Sequence, residues 1–361
     1  RENQLVRRYL NAIEADTRGY SINGGTYLRF SASVDTSTLP ADAAAAQDAD
    51  ASGFLMNVDA DSPNVGTRHA VNVSYRDEAT RYWPQHCVAV LPVFGVPLEW
   101  DTTYAVVVTR DVKPDAGGDY ERDLDFEALL GDDTSDANVV SARAIHAPAL
   151  TALANAGVAE ADILSMAVFT TSAAYNELLA ARDFMMDEYE LPVADANEWQ
   201  PNASASTHVE LLGRYGPSPI FQQGDLPYDY VEDGGNFVVE NGVPVVQDEF
   251  DVRFSLTIPP STVPMPAEGY PIVLYAHGTG GDYRSYARNG VGAMLAEQGI
   301  AVMGVDQIHH GERLPGGGDP SIPVFNVLNP LSLRDNARQS ALDVVQQARL
   351  IDALAVPITV T

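Results

Sequence analysis

Basic residues, cysteine and long apolar runs are all scarce in this chain. Lys and Arg together number 21 against 50 Asp and Glu, which leaves a formal net charge of −29. A surface of that sign repels nucleic acid and anionic lipid, so nucleic acid is excluded as a partner; it fits a solvated, secreted or salt-exposed protein. Cys87 is the single cysteine, so no intrachain disulfide can form, and the thiol is expected to act as a small buried hydrophobe. No apolar run reaches the about 20 residues of a membrane-spanning helix, so no transmembrane segment is expected. The sequence opens at Arg1 with neither an initiator Met nor a signal peptide, and the true start is expected upstream.

What is present is enough for a sizeable core: 45% of the 361 residues are hydrophobic, a length that suits two domains. Residues 1–20 read as a short helix with Leu5, Leu10 and Ile13 as its apolar contacts. From 26 to 109 the pattern is short β runs broken by turns, including 27–30, 54–58, 70–75, 87–90 and 104–109. That spacing predicts a β-sandwich of immunoglobulin-like architecture. From 126 to 186 the pattern turns helical, with a strand at 163–171 between two helices and Asn155-Ala156-Gly157 closing the first. An acidic and then Pro/Asn/Ser-rich stretch, 187–208, has no apolar period and reads as a boundary. The expected domains are therefore 1–130, a helical or mixed connector over 131–208, and 209–361.

One acidic window needs weighing. Asp48, Asp50, Ser52, Gly53 and Asp59 occupy the first, third, fifth, sixth and twelfth places of a calcium-loop pattern. The last place holds Asp instead of Glu, and 54–58 reads as a strand where a helix should start. A solvated acidic turn is the expectation, and calcium binding stays open.

The later part starts with a hairpin over 237–246, turned by Asn241-Gly242, and an alternating strand over 252–258. The organising stretch is 271–306. An apolar run, Pro271-Ile272-Val273-Leu274-Tyr275-Ala276, leads into His277-Gly278-Thr279-Gly280-Gly281. A helix is predicted from about 286 to 298, and a second apolar run, 300–305, stops at Asp306. Short non-alternating apolar runs joined through a helix predict neighbouring parallel strands. A long helix over 332–354 follows, with Ser332 as N-cap and Leu333, Ala337, Ala341, Val344, Val345, Ala348 and Leu350 along one side. Residues 356–361 read as a loop or a strand edge.

Segments 38–40, 98–109, 167–171, 271–281, 306–313 and 329–343 together resemble a bacterial family of secreted or lipoprotein lipase-like α/β-hydrolases with an immunoglobulin-like N-terminal region. The most specific are the 277–281 loop and Asp306-Gln307-Ile308-His309-His310-Gly311-Glu312-Arg313, one helix apart. The fold class implied is α/β plus all-β: an immunoglobulin-like β-sandwich followed by a partial α/β-hydrolase sheet. The resemblance implies an oxyanion-hole amide at Thr279 or Gly280, because acyl transfer builds charge on a carbonyl oxygen that preorganised N–H groups stabilise. It implies that His277, Gly278, Gly281, Asp306, His310 and Gly311 shape the loops, with Asp306 capping the strand end. It also implies a small ester or lipid substrate and an extracellular or outer-membrane-anchored location. No cofactor is implied. Asp306, His309, His310 and Glu312 lie close in sequence, but on a loop and without the spacing of a zinc motif, so no metal is expected.

The remaining triad is missing. Gly-x-Ser-x-Gly occurs nowhere; Gly19-Tyr20-Ser21 and Gly216-Pro217-Ser218 are partial matches that neither follow an apolar strand nor open a helix. All 7 histidines lie at or before His310, whereas this fold places its Ser, acid and His after the long helix. The chain therefore reads as the front part of a hydrolase. The alternative is a non-catalytic extracellular binding or adhesion protein on the same scaffold. Either way, residues 1–361 alone should not turn over short p-nitrophenyl esters and should not be labelled by a fluorophosphonate. Stoichiometric labelling of one serine, with turnover that vanishes on its mutation, would show the triad to be present after all.

Overall fold

The computed structural model describes residues 4–204 and 207–354; the expected loop or strand at 356–361 lies outside them. The protein mixes helices with several largely antiparallel sheets. It divides into two units: residues 17–173 form one, and residues 4–16 with 174–354 form the other. Helix α1 (Gln4–Asp16) belongs to the second.

The first unit contains β1 (Thr26–Arg29), β2 (Gly53–Asn57), β3 (Arg68–His69), β4 (Val71–Arg76), β5 (Cys87–Pro92), β6 (Thr103–Thr109), α2 (Leu124–Leu130), α3 (Ala137–Asn155) and β7 (Ile163–Thr170). Two antiparallel sheets, ordered β1-β5-β4 and β3-β2-β6-β7, share a core. Leu55, Val106 and Val108 meet Val71, Val88 and Val90 in it. The opposite face of β2 and β6 carries Phe54, Met56, Ala105 and Val107, which pack under α2 and α3 through Phe126, Leu129, Ala149 and Leu153. Coverage on both faces explains why these two strands read as unbroken apolar runs. By contrast, β4 alternates because one of its faces meets water. Cys87 is fully buried in β5. The calcium-like window runs straight into β2, and Asp59 is used by the amides of Asp61 and Thr103.

The second unit contains α4 (Asn176–Asp187), β8 (Gln200–Ser204), β9 (Val209–Ile220), β10 (Gln222–Gly224), β11 (Gly234–Phe237), β12 (Val239–Glu240), β13 (Val243–Pro244), β14 (Asp248–Ile258), β15 (Ile272–Tyr275), α5 (Ser285–Arg288), α6 (Val291–Glu297), β16 (Ala301–Val305), α7 (Ser321–Val324) and α8 (Pro330–Ala353). Residues 131–208 thus contribute α3 and β7 to one unit, and α4 and β8 to the other. The main sheet is ordered β15-β16-β14-β9-β8. β15 and β16 are parallel, as the sequence predicts, and β14 and β9 are antiparallel additions. Leu256, Met303 and Val305 pack against Leu350 of α8. Strand β8 tolerates Pro201 because it is an edge. Asn241 and Gly242, with φ 52° and 84°, make the tight turn of the β12–β13 hairpin.

Three local expectations change. The 286–298 helix is two pieces, because Gly290 at φ 87° caps the second in a left-handed conformation. On α1, Leu10 is 58% exposed and Ile13 54%. The helix is instead tied down by Arg8, whose guanidinium donates to the Leu328 carbonyl at 3.2 Å and lies 5.8 Å from the Tyr230 ring centre. On α8 the N-cap is Asn329, which accepts from the Ser332 amide, with Pro330 in the first turn. The alanines of the expected apolar stripe, Ala337, Ala341 and Ala348, are exposed.

The buried face of α8 is mostly polar: Ser332, Asp335, Asn336, Gln339, Asp343, Gln346, Gln347 and Arg349, against Leu342 and Leu350. Gln339 accepts from the Phe221 amide at 2.8 Å and donates to the Pro219 carbonyl at 2.9 Å. Gln346 donates to the Pro217 carbonyl at 2.7 Å, and Asp335 accepts from the Phe237 amide at 2.9 Å. Prolines in the end of β9 remove N–H donors from the ladder, and the helix side chains bond the carbonyls left there. Arg313 and Asp343 form an ion pair that is buried on both sides. No helix among the described residues is long and apolar enough to cross a membrane.

Asp343→Ala should destabilise this unit by about 3–5 kcal/mol, because Arg313 is left buried without its carboxylate. Joint replacement, Arg313→Met with Asp343→Leu, should cost much less. Urea unfolding followed through Trp199, buried against Phe254 with ring centres 5.3 Å apart, measures both. Equal losses in the two variants would contradict this account of the pair.

Candidate functional site

The parallel strands β15 and β16 end side by side, and each hands over to a loop that carries the residues singled out in the sequence. Two histidines join these loops reciprocally. The Gln307 amide donates to His277 Nε2 at 3.1 Å, so the ring proton sits on Nδ1, which donates to the Gly278 carbonyl at 2.9 Å. In the other direction the Gly280 amide donates to His310 Nε2 at 3.1 Å, and His310 Nδ1 donates to the Ile308 carbonyl at 2.8 Å. The two rings meet edge to face, 4.7 Å apart. Both are buried.

The glycines divide by function. Gly281 closes a turn onto the Gly278 carbonyl at 2.9 Å, and a Cβ there would lie 2.9 Å from that of His277. Gly311 takes φ 54° and would press a Cβ into Asp306 and Arg253. At Gly278 and Gly280 a Cβ would meet open space, so those two leave room above the loop.

Asp306 does more than end a strand. It accepts from the Tyr283 amide at 3.1 Å and pairs with the Arg253 guanidinium, which lies 4.2 Å from the Tyr283 ring centre. Glu312 pairs with Arg214 and reaches Arg253 at 3.5 Å. A second buried carboxylate, Glu210, holds Arg284 through two bonds of 2.8 and 2.9 Å and accepts from Asn202 and Ser255. Burial opposes the ionisation of Glu210, but these donors outweigh it and hold its carboxyl below the usual range. Arg284 thereby fixes the segment that follows the glycine loop. An apolar-walled cavity of about 210 Å³ opens at the same end of the sheet, lined by Phe250, Arg253, Asp306, Ile308 and Arg313 among others.

His309 is fully buried at φ 58°, donates from Nε2 to Asn336 at 3.1 Å, and stands edge-on to Tyr228. Burial pushes its pKa down to about 4. His310 is shifted the same way, again chiefly by burial.

The structure thus brings together His277, Gly278, Thr279, Gly280, Gly281, Asp306, His310 and Gly311. Of the two amides expected as oxyanion donors, that of Gly280 is taken by His310, while that of Thr279 has no partner among the described residues and the residue is exposed. Both ring nitrogens of His277 and His310 are occupied by backbone groups, which leaves neither as a base. Ser218 is buried inside β9 and not at a strand-to-helix turn. Among the described residues no His, Cys, Asp and Glu side chains converge as metal ligands. Sequence reasoning missed Arg253 and Glu210. Each is a charged residue inside a strand of the central sheet, and that placement is a signal of buried pairing.

A scan against protein-family models finds no match for this chain, and a search of curated proteins finds none either.

The histidine environment sets a pH dependence. An unfolded chain protonates His309 near pH 6.5, whereas the folded protein resists until about 4. Its contribution to stability is therefore complete above about pH 6.5 and is lost as the pH falls toward 4, a change of about 3 kcal/mol. His310 adds to it in the same direction. Urea midpoints at pH 7 and 4.5 should differ clearly in the wild type and less in His309→Asn, a residue that accepts positive φ. An undiminished difference in His309→Asn would rule out His309 as the cause.

Proposed function

We propose that this chain is the front part of a carboxylic ester hydrolase of the α/β-hydrolase fold, acting in its intact parent through an acyl-enzyme on a small ester or lipid substrate. In this reading the two packed sheets of the first unit are the immunoglobulin-like β-sandwich expected over 1–130, and the sheet β15-β16-β14-β9-β8 is the partial hydrolase sheet. A secreted or outer-membrane-anchored location accords with the net charge of −29.

The observation that carries the proposal is the pair of loops at the ends of β15 and β16. The glycine-rich loop places Thr279, an exposed residue whose amide has no partner among the described residues, between the open positions of Gly278 and Gly280, and buried histidines strap the loop. Such a preorganised amide stabilises charge that appears only as the carbonyl is attacked, and one donor of this kind is worth about 3 kcal/mol. Among the described residues β15 ends its sheet, which leaves an edge where a strand carrying a nucleophile could pair. The Ser and His of the triad are not among the residues of this site.

The test is made in the intact parent. Gly280→Val forces a β-branched residue into φ 85° and should displace the Thr279 amide. It should lower kcat by about 100-fold or more, and more than it raises KM, because the loss falls on the transition state. An unchanged kcat would exclude the loop as the oxyanion site. A parent that binds esters but never turns them over would place the protein among non-catalytic binding scaffolds.

A further inference from the structure

Two neighbouring amides of the glycine loop were equal candidates to face a ligand, and the geometry separates them. Gly280 donates its N–H inward to His310 Nε2 at 3.1 Å. Thr279 is exposed, and its amide has no partner among the described residues. We propose that Thr279 supplies the ligand-facing amide of loop 277–281, and that neutral His310 is the positioning residue that sets it by drawing the Gly280 amide inward. The role in catalysis rests on the hydrolase reading above; the assignment of the two amides does not.

The chemistry follows from the ring. His310 accepts at Nε2 only while it is neutral with its proton on Nδ1, where the Ile308 carbonyl holds it. A proton added at Nε2 would set N–H against N–H, and the Gly280 bond would be lost. The groups that bear on this equilibrium are the His277 ring, 4.7 Å away, the Arg313 guanidinium and the Asp306 carboxylate. Burial, His277 and Arg313 disfavour protonation; the Ile308 bond and Asp306 favour it, and the net shift is downward. The latch is accordingly closed at neutral pH and opens only in acid. His277 is its counterpart, anchoring the loop's first residue to the Gln307 amide at 3.1 Å. With both straps in place the loop is fixed at 277 and 280, and Thr279 stands between them. Gly280 sits at φ 85°, a left-handed conformation that glycine adopts without strain.

Amide hydrogen exchange on the isotope-labelled full chain tests this without any substrate. At neutral pH the Gly280 amide should be protected roughly fivefold or more over its intrinsic exchange, and Thr279 should show none. His310→Ala should abolish the Gly280 protection at every pH. His310→Gln keeps an acceptor and a donor without a titrating group. It should retain the protection in acid, where the wild type loses it. Amides of the β14–β16 ladder report whether each variant is folded, and the glutamine variant carries the test if the alanine variant is not. Protection of Thr279 above that of Gly280, or a wild-type and a glutamine variant that lose Gly280 protection together, would overturn the assignment. If exchange behaves as stated but His310→Ala leaves kcat of the intact parent unchanged, the hydrolase reading fails and the latch stands.

Discussion

The buried pairing of Arg313 with Asp343 is the constraint on which the second unit depends. Arg313 follows β16 and Asp343 lies midway along α8, so one interaction fixes a helix against the end of a sheet. Asp343 also accepts from Gln339 at 2.9 Å, and Gln339 reaches the Pro219 carbonyl and the Phe221 amide of the strand region opposite. Desolvating two charges makes such a pair a poor source of net stability compared with apolar packing. Its effect is on register, since a helix rotated or slid by one residue would strand a guanidinium, two amides and a carboxylate together.

From α8 the constraint runs to the site through contacts that can be followed one by one. Asn336, one turn from Gln339, accepts from His309 at 3.1 Å and from Gln222 at 3.0 Å. His309 is adjacent to His310, and His310 takes the Gly280 amide. The left-handed conformation of His309 and that of Gly311 bracket His310 and point its ring at the glycine loop. That strained turn persists because Asn336 holds one side of it and Asp306 crowds the other. The glycine loop, strapped by His277 and His310, is thereby coupled to α8 through His309 and Asn336.

What could be read from the sequence follows from which forces leave a pattern. Strands β2, β6 and β16 are legible because two covered faces demand unbroken apolar runs; β15 carries the same pattern although it is an edge strand with Val273 exposed. The β12–β13 turn is legible because Asn-Gly readily takes its positive φ values. The glycine loop is legible because open space and tight turns need glycine. The helix α8 was legible as a helix but not in its orientation. Its inward face is mostly polar, and of the expected apolar stripe Leu350 is buried while Ala337, Ala341 and Ala348 face out. Leu10 and Ile13 mislead in the same manner, because α1 is held through Arg8. Arg253 and Glu210 escaped notice because a charge in a strand reads as solvent-facing until its partner, 53 or 74 residues away, is placed beside it.

The electrostatics of the site limit what kind of ligand the proposed reading can serve. Arg253, Arg284 and Arg313 all approach this end of the sheet, yet each is matched by a carboxylate: Asp306, Glu210 and Asp343. These three cations are thus neutralised by buried carboxylates, and the chain as a whole carries −29. The favourable interaction that remains is a backbone dipole, the Thr279 amide, fixed in direction by its neighbours. An anionic ligand must be brought up against the field of a chain that carries −29 before it can reach such a dipole. It gains most from a neutral carbonyl whose oxygen becomes negative only during reaction, when no reorganisation is needed to meet it. A neutral ester has that property and a carboxylate does not, so the same arrangement that would favour attack on the substrate would also favour release of the acid formed from it.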